Sequence, residues 1–302
     1  MATEITRTSV DVLVPPEYSA EIFTDISRNS KALELFRRLP DMTRNQTIVP
    51  VIDQLPIAYF QASDTAHKNL TSASWKGVQL HAGEVAVIIP ISENVFDDAT
   101  INIWERLKPE IANAFAKVID SAIFTGVGKP SFWPDGLLTK VTASGNAITQ
   151  ETDESLYEVI NRAMGAVEED GYEVTGIAGG VGLKSKFRGM VDKNGQPLNT
   201  TEIGSLKRTF VNNGAWDKSV ADFIVGDFNQ AVYAIRQDLT YKVLTEATLV
   251  DPSSKEILYN LAQQDMIALR VTMRLAWAVP NPVNPLNADE GTRYPFASVK
   301  LV

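Results

Sequence analysis

The segment that decides the architecture is a long extended stretch interrupted by a polar tip. Residues 47–60 (TIVPVIDQLPIAYF) and 76–91 (KGVQLHAGEVAVIIPI) carry the apolar alternation and β-branched residues typical of strands. Their prolines place such strands at a sheet edge or in irregular extended chain. The tip between them, residues 61–75 (QASDTAHKNLTSASW), is much longer than an ordinary hairpin loop. Because an isolated two-stranded ribbon is marginal in water, this ribbon needs another surface to lie on.

The chain after the ribbon carries the strongest helical pattern in the sequence. Apolar residues recur at three- to four-residue spacing, and polar residues such as Asp120 fill the opposite face. Pro109 either kinks this helix or opens its main segment, and Gly126 and Gly128 end it. The apolar stripe predicts that these residues pack in the core: Trp104, Leu107, Ile111, Phe115 and Val118.

The N-terminal region is predicted to be an arm followed by short helices. Residues 1–16 end in two consecutive prolines and favour a loose arm. A helix is predicted over 17–27, and a second over 31–39, with Ser30 as its N-cap and Pro40 as its stop.

The second half of the chain combines helices with strands. A helix is predicted over 152–170 with Thr152 or Asp153 as its cap, followed by a strand over 173–178 and a helix over 183–191. Strand patterns then dominate, over 222–236, 239–250, 265–279 and 296–302. This order predicts an α+β fold rather than a doubly wound sheet with regular βαβ alternation.

Composition excludes several classes of function. The 302 residues include 28 Lys and Arg against 37 Asp and Glu, a formal charge of −9, so tight binding to nucleic acid is not expected. There is no Cys, which removes disulfides and thiolate chemistry, and only two His, which disfavours a histidine-rich metal centre. No apolar run approaches the ~20 residues of a membrane-spanning helix.

No catalytic or cofactor motif emerges from the residue pattern. GVGLKS at 180–185 lacks the Gly-Lys adjacency of a phosphate loop and is interpreted as a strand-to-helix turn. His67 and His81, with Asp64 nearby, make a weak metal motif and are interpreted as surface histidines. The acidic run 168–170 is interpreted as a solvated helix end.

Two basic groups are interpreted as interaction or solvent-facing surfaces. One consists of Lys184, Lys186 and Arg188, and the other of Arg37, Arg38 and Arg44. A nucleic-acid site is the less favoured interpretation of each group in a chain of this net charge.

Several segments, taken in order, resemble the major capsid proteins of tailed phages, which have the Hong Kong 97 fold. Residues 14–42 resemble the opening helices of that family, and 47–60 with 78–99 resemble its extended loop. Residues 111–126 (IANAFAKVIDSAIFTG) resemble the end of its long spine helix. The later parts of the family pattern are matched in order by residues 130–138, 171–198, 225–244, 263–282 and 295–302.

The resemblance implies a division of the chain into an arm, a peripheral domain, an extended loop and an axial domain. The arm is residues 1–16, the extended loop is 46–92 and the axial domain is 139–236. The peripheral domain is then assembled from 17–45, from 93–138 with the spine helix and its following loop, and from 237–302 with a sheet and the C-terminal strand.

In this family the tip of the extended loop contacts a neighbouring subunit. The resemblance therefore assigns an intersubunit role to His67, Lys68, Asn69, Trp75 and Lys76. Some relatives also join a loop Lys to a peripheral-domain Asn covalently. Lys68 or Lys76 and one of Asn281, Asn284 and Asn287 lie in suitable segments, but no promoting carboxylate is identified, so the sequence does not favour a crosslink.

The function implied by the resemblance is structural rather than enzymatic. Hexamers and pentamers of the chain would form the icosahedral head of a double-stranded DNA phage, assembled in the host cytoplasm. Because the match begins near residue 14, no cleaved scaffolding region is expected. The resemblance then implies a separate scaffolding protein and a portal as partners. Whether a decoration protein also binds is left open by the sequence. The DNA would be enclosed without tight specific binding, and no cofactor, metal or membrane is implied.

Two alternatives compete with this interpretation. Encapsulin nanocompartments share the fold, but their N-terminal region is a cargo-binding helix, whereas residues 1–16 here are polar and end in prolines. A soluble α+β enzyme with an insertion loop is the alternative of another class, and the missing catalytic cluster argues against it.

Overall fold

The structure is a computed structural model that describes residues 26, 29–58, 60, 70–94, 103–190, 206–251 and 253–302, with side chains of the long helix described from residue 107. The predicted arm, nearly all of the predicted helix 17–27 and most of the loop tip lie outside these residues. The described chain has the predicted α+β fold, with helices packed against two main sheets. Its helices are α1 (Lys31–Leu35), α2 (Ile103–Phe124), α3 (Leu137–Ser144), α4 (Leu156–Glu169) and α5 (Leu183–Arg188).

Helix α1 is shorter than predicted. Ser30 caps it as expected, with its side chain accepting a hydrogen bond from the Leu33 N–H. The helix ends at Leu35 rather than at residue 39, because Phe36 adopts an extended conformation. The next two residues form strand β1 (Arg37–Arg38), which pairs in parallel with a strand almost two hundred residues later.

A four-stranded sheet lies beside the long helix. It contains β1, β4 (Gly83–Ser92), β9 (Val232–Leu244) and β12 (Met266–Ala278), in the order β1-β9-β12-β4. The long strand β12 is antiparallel to both of its neighbours. Strand β4 is one of the two edge strands, which agrees with the proline-based prediction. The predicted loop range 46–92 therefore contains a strand of this sheet.

A five-stranded sheet forms the second layer. Its strands are β5 (Ala147–Thr149), β6 (Gly176–Gly180), β7 (Lys207–Val211), β8 (Phe223–Gly226) and β13 (Phe296–Lys300). Their order is β5-β13-β8-β6-β7, and β8 runs antiparallel to both β13 and β6.

The two sheets divide the chain differently from the expected boundary at 236/237. That boundary falls inside β9, which is one continuous strand rather than the ends of two. A 3-10 turn at Phe228–Gln230 separates β8 from β9, and this is where the chain passes from one sheet to the other. The last strand, β13, pairs with β8 and β5, so it belongs to the five-stranded sheet and not with β12.

Two hairpins project from these layers. The ribbon consists of β2 (Gln46–Gln54) and β3 (Ser74–His81), paired antiparallel with an irregularity between Ile52 and Gln54. The second hairpin joins β10 (Thr248–Val250) to β11 (Ile257–Asn260), and a 3-10 turn over Leu261–Gln263 leads from it into β12. Each is a separate two-stranded sheet.

Three apolar clusters hold the elements together. The largest joins Phe115 and Ile119 of α2 to the inward side chains of β12, such as Val271. The second lies under α4, where Val159 and Ile160 meet the five-stranded sheet. The third is small, lies at the base of the ribbon, and consists of Met42, Leu80, Ala82, Ala234, Ala276 and Ala278.

Local signals end α2 and start α4. Gly126 has a left-handed φ of 76°, and a Cβ on Gly136 would lie 2.4 Å from the Gly126 nitrogen, so both positions require glycine. The cap of α4 is Ser155 and not Thr152 or Asp153. Ser155 and Glu158 exchange side-chain and backbone hydrogen bonds in a capping box, a stronger cap than either predicted residue provides.

Candidate functional site

The base of the ribbon is fixed to its own subunit. Leu80 is fully buried in the third cluster. The Trp133 indole N–H donates to the His81 carbonyl at 3.0 Å, and the Val283 N–H donates to the Ile52 carbonyl at 3.2 Å. These contacts come from three distant parts of the chain, so they fix the direction in which the ribbon leaves the sheet.

Lys76, one of the predicted tip residues, lies on this fixed part of the ribbon. Its ammonium is 2.6 Å from the Glu290 carboxylate, and both side chains are about half exposed. An exposed pair of this kind adds little to stability. It does place a charged contact between the ribbon and the C-terminal loop of the same subunit.

The outer part of the ribbon has no comparable support. Phe60 and Leu70 are almost completely exposed, and Trp75 is 68% exposed. Ile57 is also more than half exposed, as is Ile48, which pairs with Gln79 nearer the base of the ribbon. His67, Lys68 and Asn69 lie outside the described residues. Large apolar side chains in water on a two-stranded ribbon mark a surface that binds a partner.

The second hairpin carries a similar exposed apolar surface that the sequence did not single out. Val250, Ile257 and Leu258 are about half exposed or more, with Tyr259 beside them. The only signal for this surface was the apolar run ILY next to a turn of polar residues. That run could not be distinguished from a buried strand.

The long helix confirms most of the predicted stripe and corrects one residue. Ile111 and Phe115 are buried, and Leu107 is half-buried against the same cluster. The Trp104 side chain lies outside the described residues. Val118 is 47% exposed, so its predicted core position is wrong. Pro109 lies inside the helix rather than at its first turn.

Asp120 makes a buried structural contact that sequence reasoning missed. It is predicted on the polar face of α2 opposite the apolar stripe, yet it is fully buried. Its carboxylate accepts hydrogen bonds from four donors: the Ser30 hydroxyl (2.7 Å), the Lys31 and Ala32 backbone N–H groups (3.0 Å each) and the Asn213 amide (2.7 Å). Burial raises the pKa of the Asp120 carboxyl above its ordinary value of 3.8, and these bonds oppose the rise.

Asp170 is a second buried carboxylate that had been interpreted as solvated. The carboxylate accepts hydrogen bonds from Asn146 (2.8 Å), from Asn287 (2.8 Å) and from the Tyr294 N–H (3.0 Å). The Asn284 amide donates to the Asp170 carbonyl at 2.7 Å. The C-terminal loop is therefore anchored to the end of α4.

Arg293 completes the anchor of this loop. It is 2% exposed, and its guanidinium donates to the carbonyls of Asn287 (2.8 Å) and Asn281 (3.1 Å). Asn281 also accepts the Tyr172 hydroxyl at 2.6 Å. All three asparagines considered for crosslinking thus have structural hydrogen bonds.

The described residues offer no catalytic arrangement. Among them, no group of three or more His, Asp or Glu side chains could hold a metal ion. His81 lies near the Gln79 amide oxygen at 3.2 Å and beside the Phe132 ring. Gly180 ends β6 and Leu183 begins α5, which confirms the interpretation of GVGLKS as a strand-to-helix turn. The helices described here include none long and apolar enough to cross a membrane.

Comparison with known proteins identifies the class to which this arrangement belongs. The model of the phage capsid family matches residues 10–286. The major capsid protein of Staphylococcus phage 80alpha is 24% identical over 271 residues, which cover 86% of this chain and 79% of that protein. A solved chain from Microbacterium phage Oxtober96 is 33% identical, with a TM-score of 0.79 over 91% of both chains. Another from Mycobacterium phage Adephagia is 27% identical, with a TM-score of 0.79 over 99% of both.

The chain belongs to the phage capsid family. Within that family it is a major capsid protein of a phage, a structural component of the capsid. The exposed apolar ribbon agrees with this role.

Proposed function

We propose that the chain assembles with copies of itself into hexamers and pentamers, which close into the icosahedral head of a tailed double-stranded DNA phage. The observation that carries this proposal is the ribbon. Its base is fixed to the subunit, while its outer part exposes large apolar side chains such as Phe60 and Leu70. A surface of this kind is stabilised when an adjacent subunit covers it.

The two layers correspond to the domains of a Hong Kong 97 fold. In this proposal, the four-stranded sheet and α2 form the peripheral domain, and the five-stranded sheet with α4 forms the axial domain around the local symmetry axes. The ribbon is the extended loop that lies over a neighbour. The chain passes between the two domains at Phe228–Gln230, and β13 returns it to the axial domain.

The proposed role is structural, without enzymatic activity. The head would be assembled in the host cytoplasm and become part of the virion, with a separate scaffolding protein and a portal as partners. The enclosed DNA would be held without tight specific binding, in keeping with the net charge of −9. The phage origin of the relatives favours a viral shell over an encapsulin compartment.

Size exclusion and electron microscopy of the purified chain test this proposal. We expect capsomers, closed shells or tubes, with or without a co-expressed scaffolding protein. A chain that stays monomeric at every concentration, and with the scaffold present, would overturn it.

A further inference from the structure

A group of cations lies beside α5, on a chain that is otherwise acidic. We define the basic patch as Lys184, Arg188, Lys218 and Lys300, with Arg208 at its margin. The first three are exposed, and Lys300 is half-buried. Helix α5 has the sequence LKSKFR and contains no acidic residue. The proposed shell function leaves this patch unexplained.

Contacts between its residues make the patch continuous. A Cβ placed on Gly182 would lie 2.7 Å from the Lys218 ammonium, so Lys218 lies against the turn that leads to Lys184. The Lys300 ammonium donates a hydrogen bond to the Lys218 carbonyl. Lys184 and Arg188 are one helical turn apart on the same face of α5.

The aromatic rings within the patch are already covered by cations. The Lys184 ammonium lies 5.2 Å from the centre of the Phe210 ring, and the Arg208 guanidinium lies 5.0 Å from that of Phe187. The two rings meet edge to face at 6.2 Å. These contacts hold two cations in place and leave little ring surface for a base or a partner side chain.

Within the part of the chain that the structure describes, Lys184, Arg188 and Lys218 form no ion pair. Asp217 is the acid beside Lys218, and hydrogen bonds from Ser219 lower its pKa. A second carboxylate, that of Asp222, accepts a hydrogen bond from the Leu301 N–H beside Lys300, so two acids lie near the four cations of the patch. The excess positive charge of the patch favours an anionic partner.

The composition of the patch favours phosphate over protein carboxylate. The centres of protein–protein interfaces are rich in aromatic residues and poor in Lys. Here the exposed large apolar residues nearby are Val181 and Val220, each about half exposed, and the cations outnumber the acids. Contacts to a phosphate backbone need cations and no apolar anchor.

We propose that the basic patch contacts the phosphates of double-stranded DNA, without sequence preference. This inference rests on the proposed function as a DNA-enclosing shell. Three exposed cations would neutralise about three phosphates. A plot of the logarithm of the binding constant against the logarithm of the salt concentration should therefore have a slope of about −2.7. Such a contact is weak at physiological salt, which is compatible with DNA entering and leaving the shell.

The test is fluorescence anisotropy of short labelled DNA duplexes of two unrelated sequences, titrated with the full chain over a range of salt concentrations. The variant Lys184→Gln with Arg188→Gln removes two cations from an exposed surface. The slope measured for this variant should change from about −2.7 to about −0.9, and its affinity for both duplexes should fall equally. The matched control is Lys242→Gln with Arg270→Gln, which removes two exposed cations of the four-stranded sheet and should leave the slope unchanged.

The outcomes separate this inference from the proposed function. Three results would each overturn the inference. The salt slope could be unchanged in the variant of Lys184 and Arg188, the control could lose as much DNA affinity as that variant, or the native chain could fail to bind either duplex at the lowest salt. Tighter binding of a polyglutamate peptide than of duplex would also overturn it, because the partner would then be an acidic protein. Particle formation is scored separately by microscopy. Normal particles of the variant together with lost DNA binding support the inference. If the native chain itself never forms particles, the proposed function is contradicted.

Discussion

The long helix and the ribbon use apolar residues in opposite ways. On α2, Phe115 is 1% exposed and packs against β12 in the same subunit. On the ribbon, Leu70 is 98% exposed, and only the base of the ribbon is held by the subunit. The helix therefore contributes its burial energy when the subunit folds. The ribbon can contribute a comparable energy only when another surface covers it.

The largest expected effect is on the helix side of this comparison. Phe115→Asp buries an unpaired charge and should lower the free energy of unfolding by ~3–5 kcal/mol, enough to prevent folding. The control is Val118→Asp on the same helix, which should cost about 1 kcal/mol or less because Val118 is half exposed. Urea unfolding and soluble yield measure both. A soluble Phe115→Asp chain with native stability would show that the core of α2 is misassigned.

The next effect concerns the buried carboxylate on α2. Asp120→Ala leaves four donors without their acceptor, so we expect a loss of about 2–4 kcal/mol in unfolding free energy. Glu110→Ala, on the exposed side of the same helix, should change it by no more than about 0.5 kcal/mol. Equal effects of the two substitutions would mean that Asp120 does not anchor α1.

A smaller effect should appear in the pH dependence of stability. Burial raises the pKa of the Asp120 carboxyl in the folded chain, so the folded state binds this proton more tightly than the unfolded state. The stabilisation is then complete below the ordinary value of 3.8 and is lost as pH rises through the raised pKa. The measurement is the urea midpoint of the native chain and of Asp120→Asn from acid to neutral pH. The difference between the two midpoints, in favour of the native chain, should shrink as pH rises. An advantage that grows with pH would mean that the four hydrogen bonds outweigh burial.

The smallest effect on subunit stability is expected on the ribbon. Replacing both Phe60 and Leu70 by Ser should change the unfolding free energy by no more than about 0.5 kcal/mol, because both side chains are exposed in the subunit. The yield of particles should nevertheless fall. Val127→Ser, an exposed apolar residue outside the ribbon, serves as the control and should assemble normally. Loss of the subunit fold in the double variant would place the outer ribbon in the core.

Features set by local chemistry could be predicted from the sequence. The prolines predicted a sheet edge or irregular extended chain, and β4 is an edge strand. Ser30 was correctly predicted as a cap, and the glycine after α2 was correctly predicted to end that helix. Each of these depends on residues a few positions apart. The ribbon was also predicted, because its strands alternate and its tip is too long and polar for an ordinary turn.

Features that depend on distant partners were missed. Asp120 and Asp170 look like solvated acids, and their burial is compensated by donors about 90 and 120 residues away. Strand β1 is two residues long and exists because β9 offers a parallel edge. Two strands were predicted over 222–236 and 239–250, whereas β9 is continuous over Val232–Leu244 with an irregular register against β12 near residue 237. Val118 follows the helical spacing of the stripe but is about half exposed, in an open groove that it lines with Glu84 and Ala86 of β4.

Hydrogen–deuterium exchange, measured on the unassembled chain and on assembled particles, tests the central claim most directly. Amides of α2 around Phe115 should be protected to the same degree in both states, since their burial is complete within one subunit. Amides of the outer ribbon, near residues 54–58 and 70–74, should exchange rapidly in the unassembled chain and become strongly protected in particles. Equal exchange of the outer ribbon in the two states would contradict the account, because the exposed apolar surface would then have no role in assembly.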